Sequence, residues 1–343
     1  MFDFVRRRNW YYLLSFMVLL PGIISLIVPP GLKPGIEFTS GSMFEVSFQN
    51  TVQESDMRAE MTTLGHPEAK VQSTGVNRYL VRTSELQGSA SQAPSGGPQP
   101  IGEQQSITKA LFDKFGPMLR DDGSLAADSQ GNPIPWTVQS SAVSGTVSRE
   151  IGRNAAIAVI AASIAILLYI SFAFRSIPNP FRCGIAATIA TGHDVILVMG
   201  AYSIFGKIFN MEVNTMFITG LLTVIGFSVH DTIVVLDRIR ENRQRYPDLP
   251  LHECVNNSIL QTIGRSLNTS FTVIMAVVAL LLIGGVTIRP FLVVMLIGTI
   301  TGTYSSIFVA SQILVTWEEG DVPRLFRRIF PKRTRRPLVE QGQ

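Results

Sequence analysis

Charge is scarce in this chain of 343 residues: Asp, Glu, Lys and Arg together make up 16%, against roughly 25% in ordinary soluble domains. Cysteine is scarcer. Cys183 and Cys254 are the two present, too few and too far apart for a disulfide framework or a zinc cluster. The four histidines show no zinc-like spacing. No Gly-x-x-x-x-Gly-Lys occurs, so the phosphate cradle of a nucleotide hydrolase is missing. No Ser–His–Asp arrangement has sequence support. ATP use, hydrolytic catalysis and a bound cofactor or metal are not expected, and the chain reads as a non-enzyme. Disorder is excluded by 46% hydrophobic residues and a mean hydropathy of +0.28.

Apolar runs are what the chain has in quantity. Six stretches, near 10–28, 154–174, 183–205, 213–236, 266–286 and 291–316, approach or exceed the roughly 20 residues needed to cross a bilayer. The fold class expected is a polytopic α-helical membrane protein with six transmembrane helices. The first stretch follows Arg6, Arg7 and Arg8 and is followed by Pro29 and Pro30, with no Ala-x-Ala site. Its apolar part exceeds the roughly 7–15 residues of a signal-peptide core, so an uncleaved anchor is expected.

Lysine and arginine in short loops set the orientation. Arg6, Arg7 and Arg8 precede the first span, and Arg175 and Arg182 separate the second from the third. Arg238, Arg240, Arg243, Arg245 and Arg265 lie between the fourth and fifth. The tail carries Arg324, Arg327, Arg328, Lys332, Arg333, Arg335 and Arg336. The alternate short loops hold Lys207 and Arg289 alone. This 17-to-2 split predicts both termini in the cytoplasm. The net charge of +4 and pI near 9.2 then read as a topology signal and an attraction to anionic membrane lipids, not a nucleic-acid footprint.

The predicted plan is a cytoplasmic N-terminus over 1–9, a first span over 10–30, an extracytoplasmic domain over 31–150, a five-helix bundle over 151–316 and a basic cytoplasmic tail over 317–343. Period-two patterns at Ser42–Gln49 and Asn77–Thr83 predict strands, and another strand is expected near Trp136–Ser148. Helical patterns lie near Val52–Leu64 and Ser106–Phe115. The alternation predicts a small α+β domain, with helices on one face of an antiparallel sheet. Segment 88–100 reads as a linker, Asp121–Pro135 as irregular, and Leu251–Gly264 as an amphipathic helix in the longest cytoplasmic loop.

Ionisable residues inside spans carry the most information, because each costs roughly 2.5–3.5 kcal/mol at the bilayer centre on insertion scales. His193 and Asp194 fall near the middle of the third span. His230 and Asp231 fall in the fourth, with Asp231 roughly 10 Å inward of Arg238 at 1.5 Å per residue. Arg265 is expected where the fifth span begins, one turn below the surface, and a short loop predicts that it faces Asp231. A buried carboxyl that alternately meets and loses an arginine would bind and release protons. The plainer alternative is a fixed ion pair that locks two helices. For His193 and Asp194, a helix–helix hydrogen bond accounts for them almost as well as a proton relay. Gly298 and Gly302, followed by Thr303, Ser305 and Ser306, give the sixth span a small face for close packing. The Gly284–Gly285 pair is expected to end the fifth.

Several of these segments resemble one family. Phe227–Asn242 (FSVHDTIVVLDRIREN) is similar to the hallmark of the SecF family, membrane subunits of bacterial protein export. Gly35–Gly41 (GIEFTSG), Gly264–Ser270 (GRSLNTS) and Arg289–Ala310 match it as well, and the likeness covers all six spans in order. The resemblance implies half of a proton-driven exporter of the RND superfamily, with SecD as the other half and a ferredoxin-like external domain. It implies an accessory to the SecYEG translocon in the bacterial inner membrane. There the proton-motive force would aid late, extracytoplasmic steps in the passage of an unfolded exported polypeptide. The family's membrane aspartate and arginine fall on Asp231 and Arg265. Glu37 and Ser40 depart from the family's usual Asp and first glycine of a pair, and the strand before the second span lacks its usual Gly-Pro. Two other functions fit the plan: an RND-type exporter of small solutes or lipids, for which an external domain of about 120 residues is small, and a passive scaffold whose buried charges only pair helices.

Overall fold

The computed structural model describes residues 3–86, 102–175 and 180–318. The expected linker 88–100 and nearly all of the basic tail lie outside them. The chain divides into two compact units, Pro34–Ile157 and the combination of Met1–Lys33 with Ala158–Gln343.

After a long first helix, α1 (Arg8–Ile27), and one turn of helix, α2 (Ile36–Thr39), the chain enters a four-stranded sheet. Its elements are β1 (Gly41–Ser47), α3 (Glu54–Thr63), β2 (Lys70–Gly75), β3 (Arg78–Thr83), α4 (Glu103–Phe115) and β4 (Gln139–Val143). The strand order is β2-β3-β1-β4 and every pairing is antiparallel. The alternation along β1 drives this. Phe44, Val46 and Phe48 are fully buried, with Met57 and Met61 of α3 and Ile107 and Leu111 of α4 in the same core. On the alternate register, Glu45 meets Arg78 at 3.0 Å. The segment Asp121–Pro135 forms turns and isolated bridges, without a strand.

The strand expected near Trp136–Ser148 is shorter, because the chain turns into helix α5 (Gly145–Ala173) nine residues before the expected second span. Ser144 explains the switch: its carbonyl takes the Ser148 amide at 2.9 Å and its hydroxyl takes the Val147 amide at 3.5 Å. A serine placed so satisfies amides that a helix start leaves unpaired.

Gly41 enters the sheet at φ +133°, where a side chain would lie 2.5 Å from the Thr83 carbonyl oxygen. Ser40 sits beside it at φ 61° and ψ 162°, a region that essentially only glycine occupies and that costs of order 1–3 kcal/mol. Ser40→Gly is therefore expected to stabilise this unit by about 1 kcal/mol. Thermal or denaturant unfolding of the variant checks this, and an unchanged or lowered midpoint contradicts it.

Among the described residues, six helices are long and apolar enough to cross a membrane, and the six expected stretches fall on them. Four follow α1 and α5: α6 (Pro180–Phe209), α7 (Thr215–Arg245), α8 (Leu251–Ile283), and a composite of α9 (Arg289–Ser305), a π turn (Ser306–Ala310) and α10 (Ser311–Glu318). Two helices run further than the expected spans. The amphipathic helix over Leu251–Gly264 and the fifth span are one continuous helix, α8. Helix α7 continues past the expected fourth span, through Arg238 to Arg245. No proline lies between Leu251 and the apolar run, and the lone Gly264 is carried within the helix without breaking it. Gly284 does end α8.

Burial ranks the spans. Half of the apolar window of α6 and of α7 is buried, and 67% of the sixth span, against 6% for α5. Helix α1 is fastened to α6 where two glycines meet: a methyl group at Gly200 would lie 2.6 Å from the Gly22 Cα. Ser203 donates to the carbonyls of Ser25 at 3.0 Å and Gly31 at 2.8 Å. Lys207 donates to those of Ser25 at 2.8 Å and Val28 at 2.9 Å, which satisfies acceptors that a helix end leaves open.

Candidate functional site

The site grows from the contact of α7 with α9. A side chain at Gly220 would lie 3.0 Å from Val294, one at Gly298 2.1 Å from Val224, and one at Gly302 3.1 Å from Ser228. One turn on, the hydroxyls of Thr232 and Ser306 meet at 2.9 Å. The pairing advances four residues at a time on both helices, so they run parallel and nearly touch. Small residues allow this, since close backbone approach is how helices associate in lipid.

Asp194 of α6 and Asp231 of α7 are buried here, at 1% and 2% exposure. Asp194 Oδ2 accepts from the hydroxyls of Ser228 and Ser305, each at 2.6 Å. Its Oδ1 lies 3.0 Å from His193 Nδ1. Asp231 Oδ2 accepts from Ser270 of α8 at 3.4 Å, and Ser270 in turn bonds the Thr303 hydroxyl of α9. The buried polar atoms without a hydrogen-bond partner among the described residues include His193 Nε2, Ser266 Oγ and Thr299 Oγ1. Such atoms are rare in native interiors and call for an explanation.

The sequence places the remaining candidates less well. Helices α7 and α8 are neighbours as expected, joined by Asn242 to Ser258 at 2.8 Å and Arg238 to Gln261 at 2.6 Å. Yet Ser270, not Arg265, stands opposite Asp231. Arg265 is the fifteenth residue of α8 and is exposed. The reason is helical phase. Ser258, Thr262, Ser266 and Ser270 are buried at steps of four, and Arg265 points roughly 100° away from that line. His230 is exposed on α7. The residues that sequence reasoning passed over are the hydroxyls of Ser228, Thr232 and Ser270, and it took Thr303, Ser305 and Ser306 for a packing face alone. Their signal was the recurrence of Ser and Thr at three- and four-residue steps inside apolar runs.

Similarity to known proteins agrees with this architecture. Residues 131–320 match the family described as protein export membrane protein SecD/SecF, C-terminal, and residues 24–52 match the SecD/SecF GG motif. The chain is 42% identical to the protein translocase subunit SecF of Thermobaculum terrenum, over 97% of this chain and 99% of that one. It is 32% identical to the protein translocase subunit SecDF of Bacillus subtilis, over 94% of this chain and 39% of that one. The crystal structure of SecDF, a translocon-associated membrane protein from a Thermus species, superposes with a TM-score of 0.73 at 28% identity, over 93% of this chain and 39% of that chain. Gly41, where a side chain would meet the Thr83 carbonyl, lies within the segment that matches the glycine motif. An identity of 42% over nearly the whole chain, two matching family segments and six apolar helices among the described residues lead to one conclusion: this multi-pass membrane chain belongs to the SecF family of protein translocase subunits.

Proposed function

We propose that the chain uses the proton-motive force, together with SecD, to promote late extracytoplasmic steps of protein export, with Asp231 as proton carrier and Arg265 as its regulator. The observation that carries this is the contrast between the two. Asp231 is buried among hydroxyls, while Arg265 stands exposed on a span beside exposed Asn268, Thr269 and Thr272. A guanidinium facing hydrocarbon is costly, so such a stripe wants a partner in the membrane. SecD, fused to this half in the SecDF relative, is the partner that fits. A movement that brings Arg265 or a SecD group toward Asp231 would favour its charged form, and withdrawal would favour the neutral one. His193, Asp194 and His230 lie within the same proton-coupling region, and Gly298 and Gly302 hold its helices together. The βαββαβ order of unit Pro34–Ile157 supports a ferredoxin-like domain, which we assign to the extracytoplasmic side of the inner membrane. Both termini are assigned to the cytoplasm, among anionic lipids, and SecYEG and an unfolded exported polypeptide are the further partners.

Affinity purification from gently solubilised membranes should bring down SecD and SecYEG. Recovery of an export-active complex that lacks SecD would overturn the pairing. For orientation, Val76 at the tip of the β2–β3 hairpin is 92% exposed, so Val76→Cys should react with an impermeant thiol reagent from the extracytoplasmic side. Reaction only after the cytoplasmic side is opened reverses the topology.

A further inference from the structure

Asp194 is the carboxylate that a single proton carrier leaves unexplained. It is more heavily bonded than Asp231. Hydroxyls of α7 and α9 both reach its Oδ2 at 2.6 Å, a length typical of bonds strengthened by a charged acceptor. The groups facing it are His193 on its own helix, Ser228 on α7 and Ser305 on α9. No lysine or arginine pairs with it among the described residues. Three spans thus converge on one side chain.

One short segment of α9 serves both carboxylates. Thr303 bonds Ser270, which reaches Asp231. Ser305 bonds Asp194. Ser306 donates to the Ser228 carbonyl at 3.1 Å and meets Thr232, the neighbour of Asp231, at 2.9 Å. Directly after Ser305 the helix widens into the π turn Ser306–Ala310, a feature that recurs at functional sites. The rotational setting of this segment decides which hydroxyl faces which acid, and the bond from Ser305 to Asp194 is one of the contacts that hold it.

We infer that Asp194 is a positioning residue for the proton site: through Ser228 and Ser305 it fixes the phase of α9, so that Thr303 is presented to Ser270 and Asp231. This rests on reading Asp231 as the carrier, and it gives Asp194 a different task. Loss of the clamp leaves a carrier in place but poorly served.

The test uses the whole complex with SecD in sealed vesicles. Export is measured against the size of an imposed proton gradient, and the thermal stability of the complex is measured alongside. Asp231→Asn should give a response independent of the gradient. Asp194→Asn and Ser305→Ala should still respond but require a several-fold larger proton ratio for half-maximal export, and Asp194→Glu should recover part of the shift. Lowered stability with an unchanged half-maximal ratio per assembled complex means a merely structural residue and overturns the inference. A gradient-independent Asp194→Asn makes it a carrier and overturns it equally. Should Asp194→Asn not assemble, Ser305→Ala, which keeps the carboxylate, decides. A normal response from Asp231→Asn removes the carrier reading itself, and is recognised without reference to Asp194.

Discussion

Asp231→Asn is expected to assemble with SecD and to lose the stimulation of export by the proton gradient. The substitution keeps size and hydrogen-bonding capacity and removes the group that can hold a proton. The hydroxyl contact from Ser270 to Asp231 is long, at 3.4 Å, so the amide can be accommodated without repacking. The size of the effect follows from the driving force. One charge moved through 100 mV is worth about 2.3 kcal/mol, and about 1.4 kcal/mol is a factor of ten. A coupled step can therefore be shifted by roughly fiftyfold, and the variant should forfeit a stimulation of up to that order. Arg265→Lys keeps the charge and loses the planar fork, so partial loss is expected. Asp237→Asn is the control. Asp237 is exposed and pairs with Arg240 at 2.7 Å one turn along α7, and an exposed pair of this kind contributes about 0–1 kcal/mol. Gradient-driven export by Asp231→Asn equal to the parent's, at equal assembly, would sink the assignment.

The second large effect is expected from a single methyl group. Gly298→Ala places a carbon 2.1 Å from Val224 Cγ2 and 2.4 Å from its Cγ1. Contacts that short force α9 away from α7. Overpacking of this kind costs typically 1–3 kcal/mol, and here it also separates Ser305 from Asp194 and Ser306 from Thr232. The variant should show reduced thermal stability in detergent and reduced yield of the complex with SecD. Gly302→Ala should be milder, because its nearest neighbour, the Ser228 Cβ, is at 3.1 Å. The ranking is checked by measuring both variants together. A Gly298→Ala protein as stable as the parent would mean that the two helices are not held at this distance.

The hydrophobic runs determined the membrane class and the position of all six spans, because crossing hydrocarbon demands about 20 apolar residues whatever surrounds them. Period-two alternation in β1 and β3 likewise announced a sheet, since one face of each strand had to be buried. Asp194, Asp231, Gly298 and Gly302 stood out because a charge in lipid is rare and a small-residue step invites close packing. Other features depended on tertiary contacts. Whether Leu251–Gly264 was a separate helix could not be read from the sequence, because a polar helical turn continues into an apolar one without any break in backbone geometry. Arg265 was expected to face Asp231 from its depth and from the short loop between the two spans, whereas contact across helices also depends on phase. A rotation of roughly 100° about α8 gives the place to Ser270. The hydroxyl clamp on Asp194 joins residues 34 and 111 positions apart in the chain. Nothing local to Ser228 or Ser305 distinguishes them from a serine bonded to its own helix. Only the approach of α7 to α9, made possible by glycines lying four residues apart, brought their oxygens to the same carboxylate.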